Sequence, residues 1–174
     1  TYALSMRESE LRAAAGGRAI LRVEIGDPAA AVPLLTGAAL LSVERGGGAT
    51  VALFEVREAG LKRLDVAGGA VLRIALAGDL NADGTVDAAD SALLRDLAPG
   101  ADIIGDGSVT PADRLVLNVN HGIRQNVAPV PAAVLPAIGT HVDLPVIVPL
   151  NEIATDPDGD AVVFRIVGVE NATA

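Results

Sequence analysis

The sequence predicts a mainly β protein with a small α-helical segment in its middle, and three features of the chain lead to that prediction. Apolar and polar residues alternate along much of residues 1–77, as they do in half-buried strands. Two acidic loops follow, and each leads into a short stretch with helical spacing of apolar residues. Proline-rich, extended sequence comes last. We therefore divide the chain into three regions, at 1–77, 78–123 and 124–174.

The N-terminal region is expected to form a small antiparallel β-sandwich. Turn-forming glycines, such as the run Gly46–Gly48, separate its predicted strands. A short helix is expected between Arg7 and Ala15, where Gly16 and Gly17 end it. The strands are predicted at 21–25, 41–44, 50–57, 61–66 and 72–76.

Residues 79–90, here named loop 1, place an oxygen ligand at every position that a twelve-residue calcium loop requires. Gly84 stands where the turn needs a positive φ. Asp90 replaces the usual closing glutamate, so it either draws the following helix closer or binds the metal less completely. The alternative is an acidic surface turn. The predicted ligands are Asp79, Asn81, Asp83, the carbonyl of Thr85, Asp87 and Asp90.

Residues 102–113, here named loop 2, are an imperfect second copy of loop 1. Ile104 stands where a side-chain oxygen belongs, and calcium affinity follows the number and charge of the ligands. We therefore predict a weaker second site. Either water fills the gap, or the loop is a relic held by Ile103 and Ile104 packing inward. The predicted ligands are Asp102, Asp106, Ser108, Thr110 and Asp113.

Each loop leads directly into a predicted helix, at 88–97 and 111–120, and no helix is predicted before either loop. With this arrangement, residues 78–122 resemble the duplicated loop–helix halves of a type I dockerin. The resemblance implies two F-hand-like halves related by a pseudo-twofold axis, with calcium needed to fold each loop. It also implies a cohesin domain as the partner.

The chain departs from that family at the positions that dockerins use to bind cohesins. Those dockerins carry small hydroxyl residues late in the loop and basic residues on the helix. Here the late-loop pairs are Ala88-Ala89 and Pro111-Ala112, and the helices carry Arg95 and Arg114 with few other cations. The departure weighs against a cohesin partner and leaves the calcium prediction intact.

The C-terminal region contains two motifs, Asn126-Val-Ala-Pro129 and Asp156-Pro-Asp158-Gly-Asp160. Over residues 126–174 they are similar to the linker and the Asp-x-Asp turn of cadherin-like repeats. The resemblance implies a cadherin- or immunoglobulin-like β-module, with calcium held by Asn126, Asp156 and Asp158. The alternative for the acidic motif is a solvated turn rich in aspartate.

A cadherin-like sandwich needs about a hundred residues, and the chain holds roughly half of one, with strands expected at 141–150 and 162–169. The missing strands would come from the chain's own N-terminal β-region or from a second copy. In the second case each copy completes its neighbour by strand addition, and such head-to-tail contacts build filaments.

Composition narrows the function classes. A net charge of -9 repels phosphate backbones, so nucleic-acid binding is not expected. The absence of cysteine excludes disulfides and thiolate metal sites. No apolar run is long enough to span a membrane. His121 and His141 have no neighbouring serine or aspartate arranged for nucleophilic catalysis, so we expect structural roles for both and no enzyme activity.

The combined prediction is a non-enzymatic, secreted or cell-surface structural protein, bacterial in origin and made rigid by calcium. Self-association or neighbouring β-modules are the expected partners, and a filament or surface layer is the expected assembly. The alternative is the tethering region of a secreted multidomain protein, either a cohesin-binding module or an accessory part of a hydrolase. Asn171 begins a glycosylation sequon, which a secreted chain could use.

Overall fold

The computed structural model describes residues 1–68, 70–134, 139, 141 and 144–165. The chain forms two compact units, Thr1–Asn126 and Val127–Ala174. The first two regions distinguished in the sequence therefore belong to one unit. The described residues are mainly β, as predicted. No helix among them is long and apolar enough to cross a membrane.

The first unit contains two antiparallel sheets. One sheet has the order β1-β6-β3 and the other has the order β4-β5-β2-β7. Every predicted strand is present, and β1 and β3 are additional. The strands are β1 (Tyr2–Met6), β2 (Ala19–Ile25), β3 (Leu34–Leu35), β4 (Ala39–Gly46), β5 (Ala49–Val56), β6 (Gly60–Asp65) and β7 (Val71–Leu76).

Strand β5 is the most deeply buried strand among the residues that the structure describes. It is buried along its whole length and pairs with β2 on one side and β4 on the other. Leu64 of the smaller sheet and Phe54 of the larger sheet belong to the same hydrophobic cluster, so both sheets share one core. Leu94, Leu117 and Ile103 join this cluster. The loop–helix segment is thus packed into the core of the sheets.

Three helices complete the first unit, α1 (Glu8–Ala13), α2 (Ala88–Arg95) and α3 (Pro111–Asn120). Helix α3 has the predicted bounds, and α2 ends two residues earlier than predicted. The Asp87 and Thr110 side chains cap α2 and α3 by accepting hydrogen bonds from the first-turn backbone. Pro111 begins α3, where its missing N–H costs nothing.

The second unit has little regular structure among its described residues. Strands β8 (Val130–Pro131) and β9 (Ala154–Thr155) pair antiparallel, and a 3-10 turn (Leu150–Glu152) precedes β9. The described parts of the two predicted strands, 144–149 and 162–165, are not in strands. Prolines at 145 and 149 remove backbone donors, which accounts for the first difference. Asn171 lies outside the described residues.

Candidate metal centre

Loop 1 is closed by the carboxylate of its last residue, Asp90. This side chain is fully buried at the start of α2. Its Oδ1 accepts hydrogen bonds from the N–H groups of Leu80 at 2.7 Å and Asn81 at 3.2 Å, and its Oδ2 accepts one from Asp87 at 2.9 Å. One short carboxylate therefore joins both ends of the loop to the helix.

Asp113 closes loop 2 in the same way. It is fully buried, its Oδ1 accepts from the N–H groups of Ile103 at 2.8 Å and Ile104 at 3.0 Å, and its Oδ2 accepts from Thr110 at 2.7 Å. These donors stand at the same loop positions as those that contact Asp90. The duplication seen in the sequence is thus a duplication of hydrogen-bond geometry.

Asp79, the first predicted ligand of loop 1, is buried with one of its carboxylate oxygens lacking a hydrogen bond within the described part of the chain. Only 4% of its surface is exposed. Its Oδ2 accepts a long hydrogen bond, 3.3 Å, from the N–H of Gly84. Its Oδ1 is buried and has no hydrogen-bond partner among the described residues. A buried carboxylate oxygen without a donor is costly, so this atom is a natural ligand for a cation.

The electrostatic surroundings of Asp79 support the same interpretation. Burial raises the pKa of its carboxyl, and the nearby charges of Asp90 and Asp83 raise this pKa further. The charge of Arg73 and the N–H of Gly84 lower it, without cancelling the rise. The negative charges of Asp90 and Asp83 thus act on Asp79, and a bound cation would offset them.

The middle of loop 1 turns its side-chain oxygens toward its own backbone. Asn81 Oδ1 accepts from the N–H of Asp83 at 3.1 Å, and Asp83 Oδ1 accepts from that of Thr85 at 2.8 Å. Asp87 Oδ1 accepts from the N–H of Ala89 at 2.7 Å. Within the described residues, no three or more acidic or histidine side chains gather as a ready-made metal cluster. The predicted ligand side chains of Asn81, Asp83 and Asp87 each already accept a backbone hydrogen bond.

A segment from beyond α3 fixes the far side of loop 1. Thr85 forms an isolated antiparallel bridge with Arg124. The N–H of Val86 donates to the carbonyl of Ile123 at 3.0 Å, and the N–H of Gly122 donates to the carbonyl of Val86 at 2.8 Å. Val86 and Ile123 are fully buried. The sequence analysis missed this bridge, although the apolar Val86 inside an acidic loop was a signal for it.

Loop 2 satisfies its first carboxylate completely. Asp102 Oδ1 accepts from the N–H groups of Gly105 at 2.7 Å and Asp106 at 3.1 Å, and its Oδ2 accepts from Gly107 at 2.8 Å. Asp106 Oδ1 accepts from the N–H of Ser108 at 2.9 Å. Both oxygens of Asp102 already have donors, so this loop fits calcium less well than loop 1.

Loop 2 also packs directly on the larger sheet. Ile103 is fully buried, and Ile104 packs against the core. The Nε–H of Arg22 on β2 donates to the carbonyl of Ile103 at 3.0 Å. A side chain at Gly105 would place its Cβ only 2.8 Å from Val51 Cβ on β5. The sheet therefore holds the loop through both apolar and polar contacts.

Asn120 is a further structural residue that the sequence analysis did not single out. It ends α3 and is fully buried. Its Oδ1 accepts from the N–H of Ile20 at 2.8 Å, and its Nδ2 donates to the carbonyls of Ile20 at 2.6 Å and Ala77 at 2.7 Å. One amide thus connects α3 with β2 and with the residue that follows β7.

The third predicted calcium group is divided between the two units. Asn126 is the last residue of the first unit, and Asp156 and Asp158 lie in the second. Asp156 Oδ1 accepts from the N–H groups of Asp158 at 2.8 Å and Asp160 at 3.2 Å. Asp158 Oδ2 accepts from the N–H of Val127 at 2.6 Å. Both aspartates therefore accept backbone hydrogen bonds, and calcium at Asn126, Asp156 and Asp158 stays a prediction.

Comparison with known protein families, with characterised proteins and with solved structures finds no match to this chain. The dockerin-like and cadherin-like resemblances therefore rest on the sequence motifs alone. The function of the chain is therefore inferred from the geometry of loop 1 and its surroundings.

Proposed function

We propose that this chain is a calcium-binding, non-enzymatic structural module of a secreted or cell-surface protein. The observation that carries the proposal is the buried, unpartnered Oδ1 of Asp79 at the first position of loop 1. Calcium would supply a partner for this oxygen and offset the negative charge of the neighbouring carboxylates. The residues that would hold it are Asp79, Asn81, Asp83, the carbonyl of Thr85, Asp87 and Asp90.

Loop 2 would bind calcium more weakly than loop 1. Asp102 would have to exchange three backbone hydrogen bonds for the metal, and Ile104 offers no side-chain oxygen. The residues that would hold a second ion are Asp102, Asp106, Ser108, Thr110 and Asp113. We therefore propose one principal site and treat loop 2 mainly as a structural element.

Calcium in loop 1 would stiffen the place where the chain leaves the first unit. The bridge between Thr85 and Arg124 joins the loop to the last residues before Asn126. A metal that orders the loop therefore also orders the exit of the chain. Through this linkage, calcium would reduce the freedom of the segment that leads to the second unit.

The first test is a calcium titration of the whole chain by calorimetry, with thermal unfolding in calcium and in excess chelator. We expect one dominant site and a higher Tm in calcium, because a ligand at about 100 times its Kd stabilises the folded state by about 2.7 kcal/mol. Asp79→Asn should lose most of this response. Asp96→Asn is the matched control, because Asp96 is an exposed carboxylate of the same segment outside both loops.

Equal calcium responses in Asp79→Asn and in the wild-type chain would contradict the assignment to loop 1. A wild-type Tm that is the same in calcium and in chelator would contradict calcium binding itself. Loss of the response in Asp96→Asn as well would indicate a general effect of charge rather than a site.

Assembly through strand addition is the second part of the proposal. Strand β4 lies at the edge of the larger sheet with one long side unpaired within the described sheet. In the second unit, Val146, Ile147 and Val148 are partly or largely exposed, Ile147 to 90%. An exposed apolar stretch and an open edge are the two components that strand complementation requires. Sedimentation and negative-stain microscopy in calcium should show filaments, and a monodisperse monomer would contradict this part.

A tethering role is the second candidate function, and one observation favours it. Arg114 and Leu115 are exposed on the outer surface of α3, and Leu115 is exposed to 67%. Arginine is enriched at protein interfaces, and the exposed leucine beside it adds apolar surface that a partner would cover. Binding to an immobilised cohesin would support this role, and Leu115→Asp should then abolish the binding.

A further inference from the structure

Arg73 brings a positive charge from the sheet to the proposed calcium loop. It lies on β7 and its side chain is about one-third exposed, at 36%. A guanidinium NH₂ group donates to the carbonyl of Asp79 at 2.5 Å and lies 3.6 Å from Asp79 Oδ2. This contact reaches the first ligand of loop 1 from outside the loop.

The arrangement of neighbouring charges directs Arg73 toward the loop. Glu24 is the cross-strand partner of Arg73 on β2, but its carboxylate is paired with Arg22 at 2.5 Å. Arg22 in turn donates to loop 2 through the carbonyl of Ile103. The larger sheet thus extends one arginine to each loop, and only the arginine at loop 1 contacts a predicted ligand residue.

We propose that Arg73 sets the calcium affinity of loop 1 by holding Asp79 when the metal is absent and repelling the metal when it arrives. This inference rests on the proposed calcium binding. Without calcium, the guanidinium offsets part of the negative charge of Asp79 and fixes its backbone carbonyl. With calcium, two cations share one carboxylate, and their repulsion weakens binding. Arg73 thereby keeps loop 1 folded at low calcium concentration, and calcium binds to the loop only at a higher concentration.

The proposal predicts opposite effects on two measurements. Arg73→Gln retains a donor for the carbonyl of Asp79 and removes the charge. Calcium should then bind about tenfold more tightly, since unit charges a few ångströms apart interact this strongly even when solvent screens them. In excess chelator, the Tm of the same variant should fall. A residue with only a structural role would lower both the affinity and the Tm.

Two further variants separate charge from position. Arg73→Lys keeps the charge and should keep the wild-type affinity to within a few fold. Arg63→Gln removes one positive charge from an exposed pair with Asp65 on β6, in the other sheet, and should leave calcium binding unchanged. Calorimetry with calcium chloride and thermal unfolding in chelator measure all four proteins.

The outcomes distinguish this inference from the proposed function. If neither the wild-type chain nor Arg73→Gln binds calcium, the proposed function fails and the inference fails with it. If the wild-type chain binds calcium and Arg73→Gln binds no more tightly, only the inference is overturned. Tighter binding by Arg73→Lys to the same degree as by Arg73→Gln would also overturn it, because charge would not be the cause.

Discussion

Loop 1 and loop 2 are closed by the same hydrogen bonds at their last residue, and they differ in the partners of the carboxylate at their first residue. In both loops the last aspartate, Asp90 or Asp113, gathers backbone N–H groups from the same positions. At the first position, Asp102 accepts three hydrogen bonds, whereas Asp79 has one oxygen without any among the described residues. The two loops therefore close in the same way, but in the part of the chain that the structure describes only the first aspartate of loop 2 has hydrogen bonds to both of its oxygens.

The surroundings of the loops explain how this difference is maintained. Loop 2 lies against the sheet through Gly105, and its helix is anchored by Asn120. The equivalent residues of loop 1 are Ala82, which is exposed, and Leu97, which is exposed to 67%. At these two positions loop 2 has contacts with the sheet, whereas loop 1 has exposed side chains. Two copies of one loop motif therefore differ in how their first and fourth positions are held.

The largest effect is expected from exchanging the residues at the fourth loop position. Gly105→Ala would force a Cβ to 2.8 Å from Val51 at a backbone φ of 86°. Overpacking and the left-handed conformation together should cost roughly 3 kcal/mol of unfolding free energy. Ala82→Gly, at a φ of 61° and exposed, should change it by less than about 1 kcal/mol. Urea unfolding measures both, and equal effects would remove this distinction between the loops.

Substitutions of Asn120 and Leu97, at equivalent positions after the two loops, should change the unfolding free energy by amounts that differ nearly as much. Asn120→Ala leaves the N–H of Ile20 and the carbonyl of Ala77 without their partner inside the core. We expect a loss of about 2–3 kcal/mol in unfolding free energy, from two buried groups that lose their hydrogen bonds. Leu97→Ala, at the equivalent exposed position, should cost less than about 0.5 kcal/mol. A small effect of Asn120→Ala in urea unfolding would mean that α3 is held by its apolar side alone.

Isosteric changes at the first loop position should have an intermediate effect. In excess chelator, Asp102→Asn places an amide NH₂ group against backbone donors and should cost about 1–2 kcal/mol. Asp79→Asn can turn its NH₂ group to the position that has no donor, so it should cost less than about 0.5 kcal/mol. Calcium should reverse the order, because only the wild-type Asp79 supplies a charged ligand. Thermal unfolding of both variants in chelator and in calcium tests this reversal.

The sequence predicted local features well because they depend on neighbouring residues. Strand alternation predicted β2 and β7, the spacing of apolar residues predicted α3, and the ligand spacing predicted loops that close on Asp90 and Asp113. These features follow from side-chain periodicity and from hydrogen bonds over a few positions.

The contacts that distinguish the loops could not be predicted, because they join residues far apart in the chain. An asparagine at a helix end is ordinarily a solvated cap, and nothing near Asn120 in the sequence indicates Ile20 as its partner. The same holds for Gly105 against Val51 and for Arg73 beside Asp79. Predicting that the sheets and the loops form one unit requires knowing where the sheet lies in three dimensions. The spacing of residues along the chain does not give that position.

The smallest expected effect is a pH dependence that belongs to loop 1. Burial holds the pKa of Asp79 above its ordinary value, so the folded metal-free chain binds this proton more tightly than the unfolded chain does. Stability in chelator therefore falls as pH rises from the ordinary carboxyl pKa to the raised one, and this contribution is constant above it.

Asp79→Asn isolates that contribution, because other titrating groups act equally in both proteins. The stability of the variant relative to the wild-type chain should increase from pH 4 to pH 7 in chelator. In calcium the wild-type chain should instead gain stability over the same range, because protons compete with the metal for the carboxylate. Urea unfolding across this range measures the difference, and a relative stability independent of pH in chelator would show that the unpartnered oxygen of Asp79 carries no energetic cost.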